Sequence, residues 1–140
     1  MKQLNIKSIF FKLLCVILVL FLSSINILAS AKGGYASTYE MTGGLFCRAM
    51  EIDKNCTLAV TITPTKGSSD CNMGIYLEKK SGKSWTADYD EDSVSSTSGG
   101  TITFKISKTG TYRLYLRNYS NMSSGGTGTK WKGSIRVSWS

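Results

Sequence analysis

The sequence predicts an all-β chain, an antiparallel sandwich of jelly-roll or immunoglobulin-like kind, behind a cleaved N-terminal leader. Three observations predict it. No apolar stripe of useful length repeats at helical spacing after residue 32. Several short runs alternate apolar and polar residues with a period of two. Ser, Thr and Gly separate these runs, and aromatic and β-branched residues, which favour strands, fill them.

The leader comes first. Lys2, Lys7 and Lys12 precede the uninterrupted apolar run Leu13–Leu22, and Ala29-Ser30-Ala31 forms a small-x-small cleavage site before Lys32. This is the layout of a secretory signal peptide over residues 1–31. The apolar run is about ten residues long, against the roughly twenty that span a bilayer. A retained anchor is the alternative. Leu14 stands before Cys15 where a lipoprotein would carry a small residue. The expectation is a secreted or cell-surface protein, with residues 32–140 as one domain and no transmembrane segment in the mature chain.

Along that domain, residues 33–43 read as an irregular lead-in or a first edge strand, and 45–52 as a strand ended by the turn Asp53-Lys54-Asn55. Cys56, Leu58, Val60 and Ile62 alternate clearly with Thr57, Ala59 and Thr61, and Pro64 closes that strand. Met73, Ile75 and Leu77 mark another, followed by the tight turn Ser81-Gly82-Lys83 and a short strand around Trp85. Residues 90–100 read as a polar stretch. Three strands follow, with Ile102, Phe104 and Ile106, then Tyr112, Leu114 and Leu116, then Ile135, Val137 and Trp139 inward. A Gly/Ser-rich loop over 121–129 precedes the last of them. Short strands at regular spacing broken by turn residues indicate a sandwich or barrel.

Gly110, Tyr112, Leu114, Leu116 and Asn118, with Gly82 in the earlier turn, give the second half a particular cadence. It resembles the bacterial pre-peptidase C-terminal type of β-sandwich over residues 46–139. The terminal Tyr of that pattern is replaced here by Ser134 or Ile135. The resemblance implies an accessory or binding module and not a catalyst.

Composition excludes several chemistries. The chain has no histidine, which removes Ser-His-Asp and Cys-His nucleophile pairs and every histidine metal site. Of its 17 basic residues, three lysines fall in the leader, leaving fourteen against nine acids and a net charge of +5 on residues 32–140. That excess suits anionic polymers as well as plain solubility. Nucleic acid is not expected, because the charge is modest and no recognition motif is present.

Cys47, Cys56 and Cys71 remain after the leader. If 45–52 and 56–63 form a hairpin, Cys47 and Cys71 meet at one end, while Cys56 sits some 25 Å away at about 3.3 Å per residue. A disulfide needs Cα atoms within about 7 Å. The expected pair is therefore Cys47–Cys71, with Cys56 a buried thiol; three reduced cysteines are the alternative.

Two surfaces draw attention. Asp88, Asp90 and Asp92, with Glu91 between the last two, offer oxygen ligands to calcium, or else form a solvated acidic loop. No other cofactor is implied. On the late strands Lys105, Arg113, Arg117, Lys132 and Arg136 fall opposite the inward alternation, with Tyr115 between two arginines. If those strands share a sheet they form a basic face; otherwise they are ordinary protection against edge aggregation. Tyr76, Trp85, Tyr115 and Trp131 are the aromatics free to stack on a sugar.

The expected binding set is Arg113, Tyr115, Arg117, Lys132, Arg136, Trp85 and Trp131. The expected function is a secreted, non-catalytic module engaging glycan or anionic polymer of the cell envelope or matrix. The alternatives are a small secreted effector, antimicrobial or toxin-like, or a surface subunit that binds protein.

Overall fold

A side chain that must leave water sets the pleat of every strand here. The computed structural model describes residues 33–68, 71–121 and 128–140, apart from the side chains of Ala87, Asp88 and Asn121; the leader assigned to 1–31 lies outside them. Among the described residues, nine strands build two antiparallel sheets. They are β1 (Gly33–Met41), β2 (Gly44–Phe46), β3 (Met50–Ile52), β4 (Cys56–Lys66), β5 (Asn72–Ser81), β6 (Ser84–Ser95), β7 (Gly100–Ile106), β8 (Gly110–Asn118) and β9 (Trp131–Trp139).

Sheet A runs β1-β9-β4-β7; sheet B runs β2-β8-β5-β6, with β3 also paired to β8. The β5–β6 hairpin closes on the pair Ser81↔Ser84. Gly82 takes φ 60° at the first loop position, as a primed two-residue turn requires. At most other connections the chain crosses from one sheet to the other, so strand partners are distant in sequence.

Between the sheets lie the expected inward rows. Leu58, Val60, Ile62, Phe104, Ile135 and Val137 come from sheet A, and Met73, Ile75, Leu77, Tyr112, Leu114 and Leu116 from sheet B. Each large side chain so buried contributes about 1.5–3 kcal/mol. Asn118, buried at the end of β8, donates from Nδ2 to the Thr129 carbonyl at 2.8 Å. Its Oδ1 accepts from the Ser120 amide at 3.0 Å and the Ser120 hydroxyl at 2.6 Å.

Four expectations change. Pro64 does not close its strand, since β4 runs on through an irregularity to Lys66. The 45–52 segment is two strands, and both pair with β8 instead of forming a hairpin with β4. Strand β6 continues through the acidic stretch to Ser95, because Asn72–Leu77 pair with it throughout and Val94 turns inward. No disulfide joins Cys47 to Cys71 or either to Cys56. The missing hairpin explains this. The Cys47 amide donates to the Leu114 carbonyl halfway along β8, whereas Cys71 precedes Met73, the partner of Asn118 at the end of β8. The offset is about six residues, or roughly 20 Å along the strands, and β2 and β5 flank β8 on opposite sides.

Candidate functional site

The two outward faces differ sharply in chemistry. Sheet B presents Arg113, Tyr115 and Arg117 from β8, its central strand, by the same alternation that buries Tyr112, Leu114 and Leu116. Cross-strand register sets their neighbours. Arg113 lies opposite Glu78, Tyr115 opposite both Tyr76 and Phe46, and Arg117 opposite Gly44 and Gly74.

Arg113 is the keystone of this face. Its Nε donates to Glu78 Oε2 at 2.6 Å. Its guanidinium carbon sits 3.9 Å from the centre of the Phe46 ring and 4.3 Å from that of Trp85. A guanidinium with aromatic faces at that distance gains cation–π attraction, and stacking suits its planar shape. The ion pair is largely shielded, with 22% of the Arg113 side chain and 11% of Glu78's exposed. Phe46 is 53% exposed, the one large apolar side chain so exposed among the described residues.

From Phe46 the aromatic row continues. Phe46 and Tyr115 have ring centres 4.6 Å apart, and Tyr115 and Tyr76 have theirs 6.0 Å apart. The Tyr76 and Tyr119 hydroxyls are hydrogen-bonded to one another. Arg117 lies 5.2 Å from the Tyr119 ring centre. Gly74 makes room for two of these rings, since a Cβ there would come within 2.8 Å of Tyr119 Cε2 and 3.0 Å of Tyr76 Cε2. Beyond Tyr76 a hollow of about 300 Å³ opens, lined by both tyrosines, Asn72, Glu91, Asp92 and Ser93.

Of the residues expected to bind, Trp85, Arg113, Tyr115 and Arg117 are thus brought together. Lys132 and Arg136 are not, because β9 belongs to sheet A; Lys105 on β7 lies there too. Lys132 instead pairs with Glu40 at 2.8 Å, beside Lys130 at 2.7 Å. These contacts hold the Glu40 carboxyl down to about 2. Trp131 is fully buried, on the inward row with Ile135 and Val137, and so is core. Phe46 and Glu78 were missed. Pleat alternation between Leu45 and Cys47 was the signal that would have turned Phe46 outward.

Strand β6 sets Asp90 and Asp92 out in a row, where their side chains accept from the Glu91 and Ser93 amides at 3.0 Å and 2.7 Å. Among the described residues no three acidic or cysteine side chains gather as metal ligands. The Asp88 side chain lies outside them.

A second cleft, of about 370 Å³, opens between β1 and β2 and is lined by Tyr35, Ser37, Tyr39, Leu45, Cys47 and Ile135 among others. Burial pushes the Cys47 thiol up to about 11, against a smaller opposing effect of its hydrogen bond with Tyr35. It is therefore protonated at neutral pH, the unreactive form of a cysteine. Burial likewise raises the Tyr39 phenol to about 12.

The architecture defines the class first: a two-sheet antiparallel β-sandwich with an aromatic and arginine-bearing outer face. No family model and no curated protein matches the sequence. Solved structures with the same fold include PliG of Aeromonas hydrophila, a periplasmic inhibitor of g-type lysozyme. It shares 17% identity at a TM-score of 0.54, over 79% of this chain and 89% of that one. The Yersinia pseudotuberculosis-derived mitogen shares 10% identity at a TM-score of 0.52, over 76% of this chain and 85% of that one. At these identities the likeness is one of fold.

Proposed function

We propose that the protein is an exported, non-catalytic binding module that docks a protein partner on the outer face of sheet B. The observation that carries this reading is the Arg113 clamp: a guanidinium between two aromatic rings, with Phe46 left half in water beside it. Trp, Tyr and Arg packed at the centre of a patch are the residues that dominate protein interfaces. Arg113 is also already ordered by Glu78, so little side-chain freedom remains to be lost on binding.

Two similar folds support a protein partner, since one is named an inhibitor of g-type lysozyme and the other a mitogen. The cadence shared with pre-peptidase C-terminal sandwiches supports a binding module in general. Export rests on the leader-like residues 1–31. A glycan is the second reading, favoured by the adjacent outward rings of Phe46, Tyr115 and Tyr76, any of which could stack on a pyranose.

A binding panel separates the two. The purified protein and its Phe46→Ser variant are tested against g-type lysozyme and against isolated cell-wall polymer, at low and high salt. The protein reading expects lysozyme to bind, with affinity falling at least tenfold in the variant. Polymer binding that survives salt and fails in the variant would favour the glycan. Polymer binding that fades with salt, equally in both proteins, would overturn sheet B as the binding face.

A further inference from the structure

Three of the four sheet edges are blunted against pairing. Edge strand β7 is seven residues long and carries Lys105 outward next to its C-terminal end. Edge strand β6 carries the consecutive acids Asp90, Glu91 and Asp92, and its pairing with β5 shifts register between Leu77 and Lys79. The other edge of sheet B is broken into β2 and β3, three residues each. Charge, bulges and short strands are the standard devices that keep an edge from adding a neighbour.

Strand β1 has no bulge, no break and no basic residue. It runs nine residues, GGYASTYEM, with no lysine, arginine or proline. Its pairing with β9 proceeds from Gly33↔Trp139 to Met41↔Trp131 without a shift. Among the described residues nothing pairs with its other side. Its one charge, Glu40, lies near the end and is held by Lys130 and Lys132.

We infer that β1 joins β1 of a second copy, antiparallel about a two-fold axis, so that two A sheets become one continuous sheet. A register centred on Ser37 pairs all nine residues of each strand. It sets Ala36 opposite Thr38, Tyr35 opposite Tyr39, and Glu40 opposite Gly34 of the second copy, so no like charges meet. A self-complementary patch of this kind closes as a dimer and does not propagate. The added strand also closes from the side the cleft bordered by Tyr35 and Ser37. The inference is independent of the ring-bearing face, which belongs to the other sheet.

The test is sedimentation equilibrium of the purified protein and two variants. Ala36 and Thr38 are exposed, on the outward side of β1. In Ala36→Lys/Thr38→Lys the proposed register opposes lysine to lysine twice; in Ala36→Glu/Thr38→Lys it opposes opposite charges twice. The wild type is expected to pass from one chain to two as concentration rises. The double-lysine variant should dissociate at least tenfold more readily, and the charge-swapped variant should recover. Both variants carry Thr38→Lys, so a simple surface penalty would affect them alike, and far-UV spectra confirm that the fold persists. A wild type that stays a single chain at every concentration, or a dimer that the lysines leave intact, would overturn the inference.

Discussion

The outer faces of the two sheets share a pleat and differ in what the pleat presents. On sheet A the outward residues include Thr38, Glu40, Ala59, Thr61, Thr63, Thr101, Thr103, Lys105, Lys132, Ser134 and Arg136. Its contacts are of the type Thr61 Oγ1 to Thr101 Oγ1 at 2.9 Å and Lys132 to Glu40. Such hydroxyls and exposed ion pairs suit a solvated face, where ion pairs contribute little to stability. On sheet B the outward row is Trp85, Arg113, Phe46, Tyr115 and Tyr76, in contact from ring to guanidinium to ring. Rigid rings and a clamped arginine bring contact area at low entropic loss, which small hydroxyls cannot. This difference is the ground on which binding is proposed for the outer face of sheet B.

The comparison breaks first inside the molecule, where the effects are largest. Trp131→Ala, on the inward row, should cost about 3–5 kcal/mol of stability, whereas Trp85→Ala on the outer face should change the unfolding midpoint far less. Chemical denaturation of the two variants reads both values. Equal losses would mean that Trp85 is also structural.

Next comes the shielded ion pair. Glu78→Ala strands Arg113 among aromatic rings, and a partner removed from a buried pair costs about 3 kcal/mol. Thr61→Ala, which loses a hydroxyl contact on sheet A, should cost about 1 kcal/mol or less. Thermal melts of the two, side by side, test whether sheet B's outer face is held more tightly than sheet A's.

The smallest effect belongs to sheet A. The Glu40 carboxyl is held at about 2 instead of 4.5 by Lys130 and Lys132. A folded-state value below the unfolded one contributes stability that is present above 4.5 and is lost as pH falls toward 2. Glu40 is exposed, with 48% of its side chain accessible to water, so solvent screening keeps the contribution slight. The gap in urea midpoint between wild type and Glu40→Gln should therefore shrink over that interval; a gap that widens would reverse the sign.

Period-two alternation made the inward rows legible, from Leu58 to Val137, and with them the sandwich and its turns at Asn55 and Gly82. It placed Arg113, Tyr115 and Arg117 outward as well. It could not say which sheet a strand joins, because that is settled by connections that cross between layers. For that reason one expected basic face became two, and Cys47 lay far from Cys71. Trp131 was misread because it opens its strand next to a Gly/Ser-rich loop, where local pattern shows no inward neighbour before it. The acidic run concealed the second half of β6, since an edge strand tolerates charge on both faces.

The most direct test sets the faces against each other in one assay. The affinity for g-type lysozyme is measured for wild type, Phe46→Ser on sheet B and Arg136→Ala on sheet A. The account predicts a loss of at least tenfold for Phe46→Ser and none for Arg136→Ala. A loss confined to Arg136→Ala, or no binding by the wild type, would contradict it.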